Sequence, residues 1–296
     1  SQRGSSFFLI FWREIMGKFD GVLLFADYDR TLTDPYSRIP EENRRAIREF
    51  MEQGGRFAVA TGRSLTMARA FLNKVSCNAP LILFNGAVAY DKAAGKVEFV
   101  HPIDLDPEAT IRLCQERFPE ELVEVQGLEA HYAFHQEPLW QAFGQANRAV
   151  YRQIALSEIP APFVKFTLYG PFRDDTVAQF FGASPEELAE FDRIEAWLNK
   201  TFGDKCVVDR SCDRLIDLQA KGTSKGNAAR ELKERLGART LVCVGDAWND
   251  LSMLESADLA FVPGDGQKEL LKRFHKAAPC AEGAVADAIR QLPAFL

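Results

Sequence analysis

Five apolar residues, Val22-Leu23-Leu24-Phe25-Ala26, run directly into Asp27-Tyr28-Asp29-Arg30-Thr31-Leu32-Thr33, and this stretch constrains the fold more than any other. Bounded by Gly21 and lacking polar alternation, the run predicts a strand of a parallel sheet buried on both faces. Its two aspartates then stand at the carboxyl end of that strand, where open α/β sheets keep their chemistry. Carboxylates so close repel one another unless a cation or a proton relieves them. A divalent metal is the simplest relief, and an acidic turn after a strand is the plainer alternative.

Four more apolar runs follow the same plan. Phe57-Ala58-Val59-Ala60 ends at Thr61-Gly62-Arg63-Ser64, Leu81-Ile82-Leu83-Phe84 at Asn85-Gly86, Leu241-Val242-Cys243-Val244-Gly245 at Asp246, and Leu259-Ala260-Phe261-Val262 at Pro263-Gly264. Helices are predicted between them: one from Pro40-Glu41-Glu42 to about Gln53, stopped by Gly54-Gly55, and one capped by Ser64 and running to about Lys74. A third runs to about Leu236 with Lys225 in its first turn. Alternating strands and helices imply right-handed crossovers and one parallel sheet, hence an α/β fold with a Rossmann-like core. All strand ends then emerge at one edge, so Asp27, Asp29, Thr61, Asn85 and Asp246 converge.

Residues 87–214 break this rhythm. Ala87–Tyr90 and Val97–Val100 read as a hairpin around Ala93-Ala94-Gly95-Lys96. A helix near 107–117, a strand pair near 121–135, a helix near 138–155, a strand at Phe163–Tyr169, a helix near 185–202 and paired strands at 206–210 and 214–218 complete an inserted α+β unit. Its charge is also distinct, with 13 Lys and Arg against 22 Asp and Glu, while the rest of the chain is net positive. The predicted organisation is therefore residues 1–15 as a tag remnant or upstream extension, 16–86 and 215–296 as the core, and 87–214 as a cap domain.

A net charge of -6 argues against a general nucleic-acid binder. The apolar segment Phe7–Trp12 falls far short of the roughly 20 residues a membrane helix needs. Six cysteines without a C-x-x-C pair suit reduced, buried thiols in a cytoplasmic protein; neither a membrane nor an obligate protein partner is expected.

Gly245-Asp246-Ala247-Trp248-Asn249-Asp250 adds a second acidic cluster. Hard oxygen ligands without His or Cys nearby favour Mg²⁺, completed by substrate phosphate; a capping role for Asp246 and Asn249 is compatible with it. Thr61 brings a hydroxyl and the following backbone N–H groups at a helix start. Lys225 opposes its helix dipole at a cost of about 0.3–1 kcal/mol, a placement that an anionic partner would offset, with Lys221 the competing candidate. His131 and His135 alternate as in a strand and lack a third ligand, so they read as a bland pair. Trp248 reads as packing, and Lys165 and Arg173 as ordinary surface charges.

Asp27-Tyr28-Asp29-Arg30-Thr31, Thr61-Gly62-Arg63, Lys225 and Gly245-Asp246-Ala247-Trp248-Asn249-Asp250, in that order, resemble the four motifs of the haloacid dehalogenase-like superfamily. Within it, the long insertion is similar to the cap of the Cof-type phosphatases of subclass IIB. The resemblance implies a nucleophile at Asp27, an acid and base at Asp29, and Thr61 and Lys225 on the phosphoryl oxygens. It further implies Mg²⁺ held by Asp27, the Asp29 carbonyl and Asp246 with Asn249 and Asp250. Substrate would meet Thr61, Gly62, Arg63, Asn85 and Lys225, although Arg63 suits a structural role better. Arg30 departs from the glycine usual at its position. The implied activity is hydrolysis of a small phosphorylated metabolite, such as a sugar phosphate, nucleotide or phosphorylated cofactor; a phosphomutase and a non-catalytic receiver-like module are the alternatives.

Overall fold

A computed structural model describes residues 17–134, 149–170 and 183–296. They fall into two compact units. The described part of the first comprises 17–61, 72–98 and 224–296, and the second gathers 62–71 with the described part of 99–223.

The first unit is built on a five-stranded sheet in the order β14-β13-β12-β1-β2, parallel throughout. Its strands are β1 (Val22–Ala26), β2 (Arg56–Val59), β12 (Thr240–Val244), β13 (Leu259–Pro263) and β14 (His275–Ala277). β1 lies between β12 and β2, with every residue buried, as its uninterrupted apolar run requires. Phe25, Phe57 and Phe261 pack the sheet faces and are wholly inaccessible to solvent. The helices Glu41–Glu52 and Ala284–Gln291 pack on one another. Buried Asn43 pins them to the first motif: its Nδ2 donates to the Leu32 carbonyl at 2.9 Å and its Oδ1 accepts from the Ala286 amide at 2.8 Å. The helix Lys225–Arg235 lies against Leu251–Ser256, close enough at Gly226 that a Cβ there would stand 2.0 Å from the Ser252 carbonyl oxygen. Glycine is the residue that permits this approach.

Two strand expectations need correction. Leu81–Leu83 (β3) meets the parallel sheet only through one bridge, Ala60 to Ile82. It pairs antiparallel with β4 (Val88–Asp91), and β5 (Lys96–Val100) completes a separate three-stranded sheet. The edge strand of the parallel sheet, β14, has no counterpart in the sequence reading, because His275-Lys276-Ala277 is too short and too polar to carry a strand pattern.

The second unit holds a six-stranded sheet in the order β10-β11-β9-β6-β7-β8. These are β6 (Leu122–Gly127), β7 (His131–Ala133), β8 (Tyr151–Gln153), β9 (Phe163–Tyr169), β10 (Cys206–Cys212) and β11 (Leu215–Ala220). All neighbours are antiparallel except β7 and β8. Val123, Val125, Phe166, Leu168, Ile216 and Leu218 share an apolar core with Ile111, Cys114, Ile194 and Leu198 of the helices Pro107–Arg117 and Pro185–Phe202. Residues of opposite parity, Glu124, Gln126, Lys165, Thr167 and Asp217, are polar yet buried.

Here the expected helix near 138–155 fails in its last part, since Tyr151–Gln153 pairs in parallel with His131–Ala133; residues 135–148 lie outside the described residues. Sheet pairing overrides the local pattern at this point. Lys165 is no surface charge either: it is buried, with Nζ 2.8 Å from Asp217 Oδ2, which also accepts from Ser211 Oγ at 2.7 Å. Thr167 Oγ1 donates to the other Asp217 oxygen at 2.7 Å. Arg173 and His135 lie outside the described residues.

Candidate active site

The register of the first unit's sheet places Ala26 beside both Val244 and Val59, so Asp27, Gly245-Asp246 and Ala60-Thr61 leave the sheet at one edge. Backbone bonds hold them there: the Asp27 amide donates to the Val244 carbonyl and the Ala60 amide to the Ala26 carbonyl, both at 2.9 Å. Asn85 joins this edge through its amide, which donates to the Thr61 carbonyl at 3.1 Å, while the Thr61 amide donates to Ile82 at 2.8 Å.

After Asp27 the chain winds through one wide turn, Tyr28–Leu32, closed by the Leu32 amide on the Asp27 carbonyl. Asp29 stands half-buried in that turn with extended backbone angles, and exposed Arg30 follows at φ 60°, ψ 12°. Arg30 thus occupies the left-handed conformation that glycine takes without strain. Arg30 is exposed, and its charge opposes the rise in the Asp246 pKa and adds to the lowering of Asp265.

Lys225 Nζ lies 2.6 Å from Asp27 Oδ1 and 2.6 Å from Asp250 Oδ1, in full burial. Ser224 caps this helix, its Oγ accepting from the Asn227 amide at 3.0 Å. Ahead of it, Gly86 at φ 109° lets the turn Phe84–Gly86 approach; a Cβ there would stand 2.2 Å from the Ser224 carbonyl oxygen. The rival Lys221 instead donates to the Gly203 carbonyl in the second unit. The remaining Asp250 oxygen accepts from the Asp246 and Ala247 amides at 3.0 and 3.2 Å, and so shapes the loop that carries Asp246. Thr31 Oγ1 donates to Asp246 Oδ1 at 2.9 Å. Sequence reasoning assigned Thr31 no role, and nothing local distinguishes it from a turn threonine.

Among the described residues, Asp27, Asp246 and Asp250 bring carboxylate oxygens within 4.8 Å of one another. One ammonium faces them, and negative charge is left over. Burial pushes Asp27 well above the ordinary carboxylate value; Lys225 opposes this, and Asp250, Asp29 and Asp246 add to it. Asp246 is raised to about 6 by burial and by Asp250, against Thr31, Lys225 and Arg30. For Lys225, burial works against the charge, but Asp250 and Asp27 outweigh it and hold the ammonium protonated. A buried, all-oxygen donor set with surplus negative charge fits a hard divalent cation such as Mg²⁺.

Other expected residues stand differently. Asn249 is exposed, and Trp248 is 53% exposed rather than packed, because the short turn Trp248–Asp250 directs Asp250 inward and its predecessors to solvent. Buried Asn85 keeps an Oδ1 without a hydrogen-bond partner. Half-buried Gly62 and Arg63 belong to the second unit, where the Arg63 guanidinium lies 6.0 Å from the Phe71 ring centroid.

A parallel α/β sheet with carboxylates and a buried lysine gathered at its carboxyl edge defines a class of acid-centred α/β enzymes. The chain belongs to the haloacid dehalogenase-like hydrolases, whose family model matches residues 24–289. It is 24% identical over 248 residues to an HMP-PP phosphatase of Citrobacter koseri, covering 83% of this chain and 85% of that protein. It is 25% identical over 272 residues to the chloroplastic endoribonuclease YBEY of Arabidopsis thaliana; the match takes 83% of this chain but spans only 42% of that longer protein. A haloacid dehalogenase-like hydrolase from Bacteroides thetaiotaomicron has a similar fold, with a TM-score of 0.76 at 21% identity over 93% of this chain and all of that one.

Proposed function

We propose that the protein is a Mg²⁺-dependent phosphatase that hydrolyses a small phosphorylated metabolite through a phosphorylated Asp27. The observation that carries this reading is the Lys225 ammonium shared between Asp27 and Asp250 at 2.6 Å, beside the half-buried Asp29.

Asp27 attacks phosphorus through a carboxylate oxygen, and the bond to the leaving oxygen breaks as Asp29 protonates it. Asp29, now a carboxylate, takes a proton from the water that attacks the aspartyl phosphate, which releases phosphate and regenerates Asp27. Lys225 and the hydroxyl and turn at Thr61 hold the transferring oxygens, with Gly62 and Asn85 beside them in this assignment; positioning and electrostatics supply most of the rate. Asp27, the Asp29 carbonyl and Asp246 would hold Mg²⁺. Asp250 serves by holding Lys225 and two loop amides, and Asn249 stands at the rim. When bound, the ion neutralises part of the carboxylate and phosphoryl charge.

Residues 87–214 act as the cap that selects the substrate. The HMP-PP phosphatase relative supports a small phosphorylated ligand. Six unpaired cysteines suit a cytoplasmic setting, and among the described residues no helix is long and apolar enough to cross a membrane. The test is phosphate release from p-nitrophenyl phosphate and a panel of phosphorylated metabolites, with and without Mg²⁺. Asp27→Asn is expected to abolish release while the protein stays folded; undiminished turnover in that variant overturns the assignment.

A further inference from the structure

Four polar side chains form a buried cluster in the second unit: Glu124, His131, Ser64 and Thr66, none more than 3% exposed. His131 Nε2 is hydrogen-bonded to Ser64 Oγ at 2.7 Å, while its Nδ1 lies 2.7 Å from Glu124 Oε1 outside hydrogen-bond geometry and has no hydrogen-bond partner. The Tyr151 ring, 4.9 Å away between centroids, covers the imidazole. Glu124 Oε1 accepts from Gln126 Nε2 at 2.8 Å, so the carboxylate is itself oriented. At the other end Ser64 Oγ accepts from the Met67 amide at 3.3 Å and meets Thr66 Oγ1 at 3.1 Å, which caps the helix Leu65–Leu72.

Ser64 is the third residue after Thr61. Residues 62–71 group with the second unit although Thr61 belongs to the first, so the turn after Thr61 is where the chain passes from one unit to the other. Burying a carboxylate, an imidazole and two hydroxyls costs desolvation that an apolar cluster of equal volume would avoid. What such a cluster supplies is a single geometry at the helix start, because His131, Ser64, Thr66 and the Met67 amide are joined by hydrogen bonds. Two further polar contacts join this helix to its unit: Arg69 meets Glu129 at 3.1 Å on the exposed surface, and the Val150 amide reaches Thr66 Oγ1 at 3.4 Å.

We propose that His131, buried between Glu124 and the Tyr151 ring, is a positioning residue that holds Ser64 and thereby the backbone of the turn Thr61-Gly62-Arg63-Ser64, whose amides and hydroxyl receive the phosphoryl group. The proposal rests on the assignment of Thr61 to phosphoryl binding made above. It places the anchor of the phosphate-binding turn in the inserted unit, on the strand that carries His131.

Two substitutions divide the cluster. His131→Gln retains a nitrogen near the Nε2 position and keeps the bond to Ser64, whereas His131→Asn retains one near Nδ1 and keeps only the contact with Glu124. With p-nitrophenyl phosphate, His131→Gln is expected to hold kcat within about threefold, and His131→Asn and Ser64→Ala to lose about tenfold or more. Inhibition by orthovanadate should weaken in the same two variants. Amide hydrogen exchange over residues 62–67 should accelerate in them and not in His131→Gln. Equal losses in His131→Gln and His131→Asn that track melting temperature overturn the proposal; if His131→Asn does not fold, Ser64→Ala against His131→Gln makes the same comparison. Absence of phosphate release by the unaltered protein counts against the phosphatase reading alone, because the exchange measurement still decides whether His131 orders the turn.

Discussion

Lys225 and Asp27 meet at 2.6 Å across 198 positions of sequence, and the same ammonium reaches Asp250 at 2.6 Å. The contact is what makes the lysine's position at the start of its helix tolerable, since two carboxylates outweigh an opposing dipole worth about 0.3–1 kcal/mol. Removing the cation leaves two buried carboxylates facing one another.

Lys225→Ala is therefore expected to destabilise the metal-free protein by about 3–5 kcal/mol, the cost of an uncompensated buried charge. Urea unfolding measures it. Added Mg²⁺ should recover part of the loss, and phosphate release should not return. An unchanged urea midpoint would contradict the buried contact.

Asp246 sets a pH dependence. Burial and Asp250 hold its pKa at about 6, against about 3.9 in an unfolded chain, so the folded state binds this proton more tightly. The stabilisation is complete below the unfolded value and is lost as pH rises through about 6. Asp27, raised by burial, acts in the same direction. Asp34, Asp258 and Asp265 are lowered, against desolvation, by bonds from neighbouring amides and side chains, and their opposite effect falls below about pH 4. Metal-free protein should melt higher at pH 5 than at pH 7, and Asp246→Asn should flatten that slope. With Mg²⁺ the stabilisation by the ion should be larger at pH 7, where the carboxylate is free to bind it. Melting curves at both values, with and without Mg²⁺, check all three statements.

Thr31→Val keeps the volume of a fully buried side chain and removes its bond to Asp246 Oδ1. Loss of one donor to a carboxylate is expected to cost about 1–3 kcal/mol of stability. Loss of a residue that orients a metal ligand is expected to weaken Mg²⁺ about 10- to 100-fold, read from the Mg²⁺ dependence of phosphate release. Thermal unfolding supplies the first number without reference to activity.

Arg30 sits at φ 60° without being glycine. Arg30→Ala and Arg30→Gly remove the same charge, but only glycine removes the strain. The glycine variant should be the more stable of the two by about 1 kcal/mol, visible as a higher melting temperature. Equal melting temperatures would mean that the turn relaxes around alanine.

Much of the fold was legible because it depends on local pattern. Leu241 to Val244 and Val22 to Ala26 are uninterrupted apolar runs, and both became central parallel strands. The helix expected near 185–202 starts at Pro185 behind a Ser184 cap whose Oγ accepts from the Glu187 amide. Local pattern failed at Tyr151–Gln153 and His275–Ala277, three-residue strands that exist only because a partner strand stands beside them. It failed also at Lys165, whose charge looks the same in sequence whether water or Asp217 surrounds it.

The sequence by itself determined that a buried parallel sheet would deliver Asp27, Thr61 and Asp246 to one edge, because apolar continuity and polar run-ends are properties of neighbouring residues. Tertiary structure alone decided that Lys225 and not Lys221 joins them, that Thr31 steadies Asp246, and that a histidine in the inserted unit grips the turn beyond Thr61. Those outcomes depend on register, burial and approach between segments far apart in the chain. No periodicity in one segment records what the others bring to it.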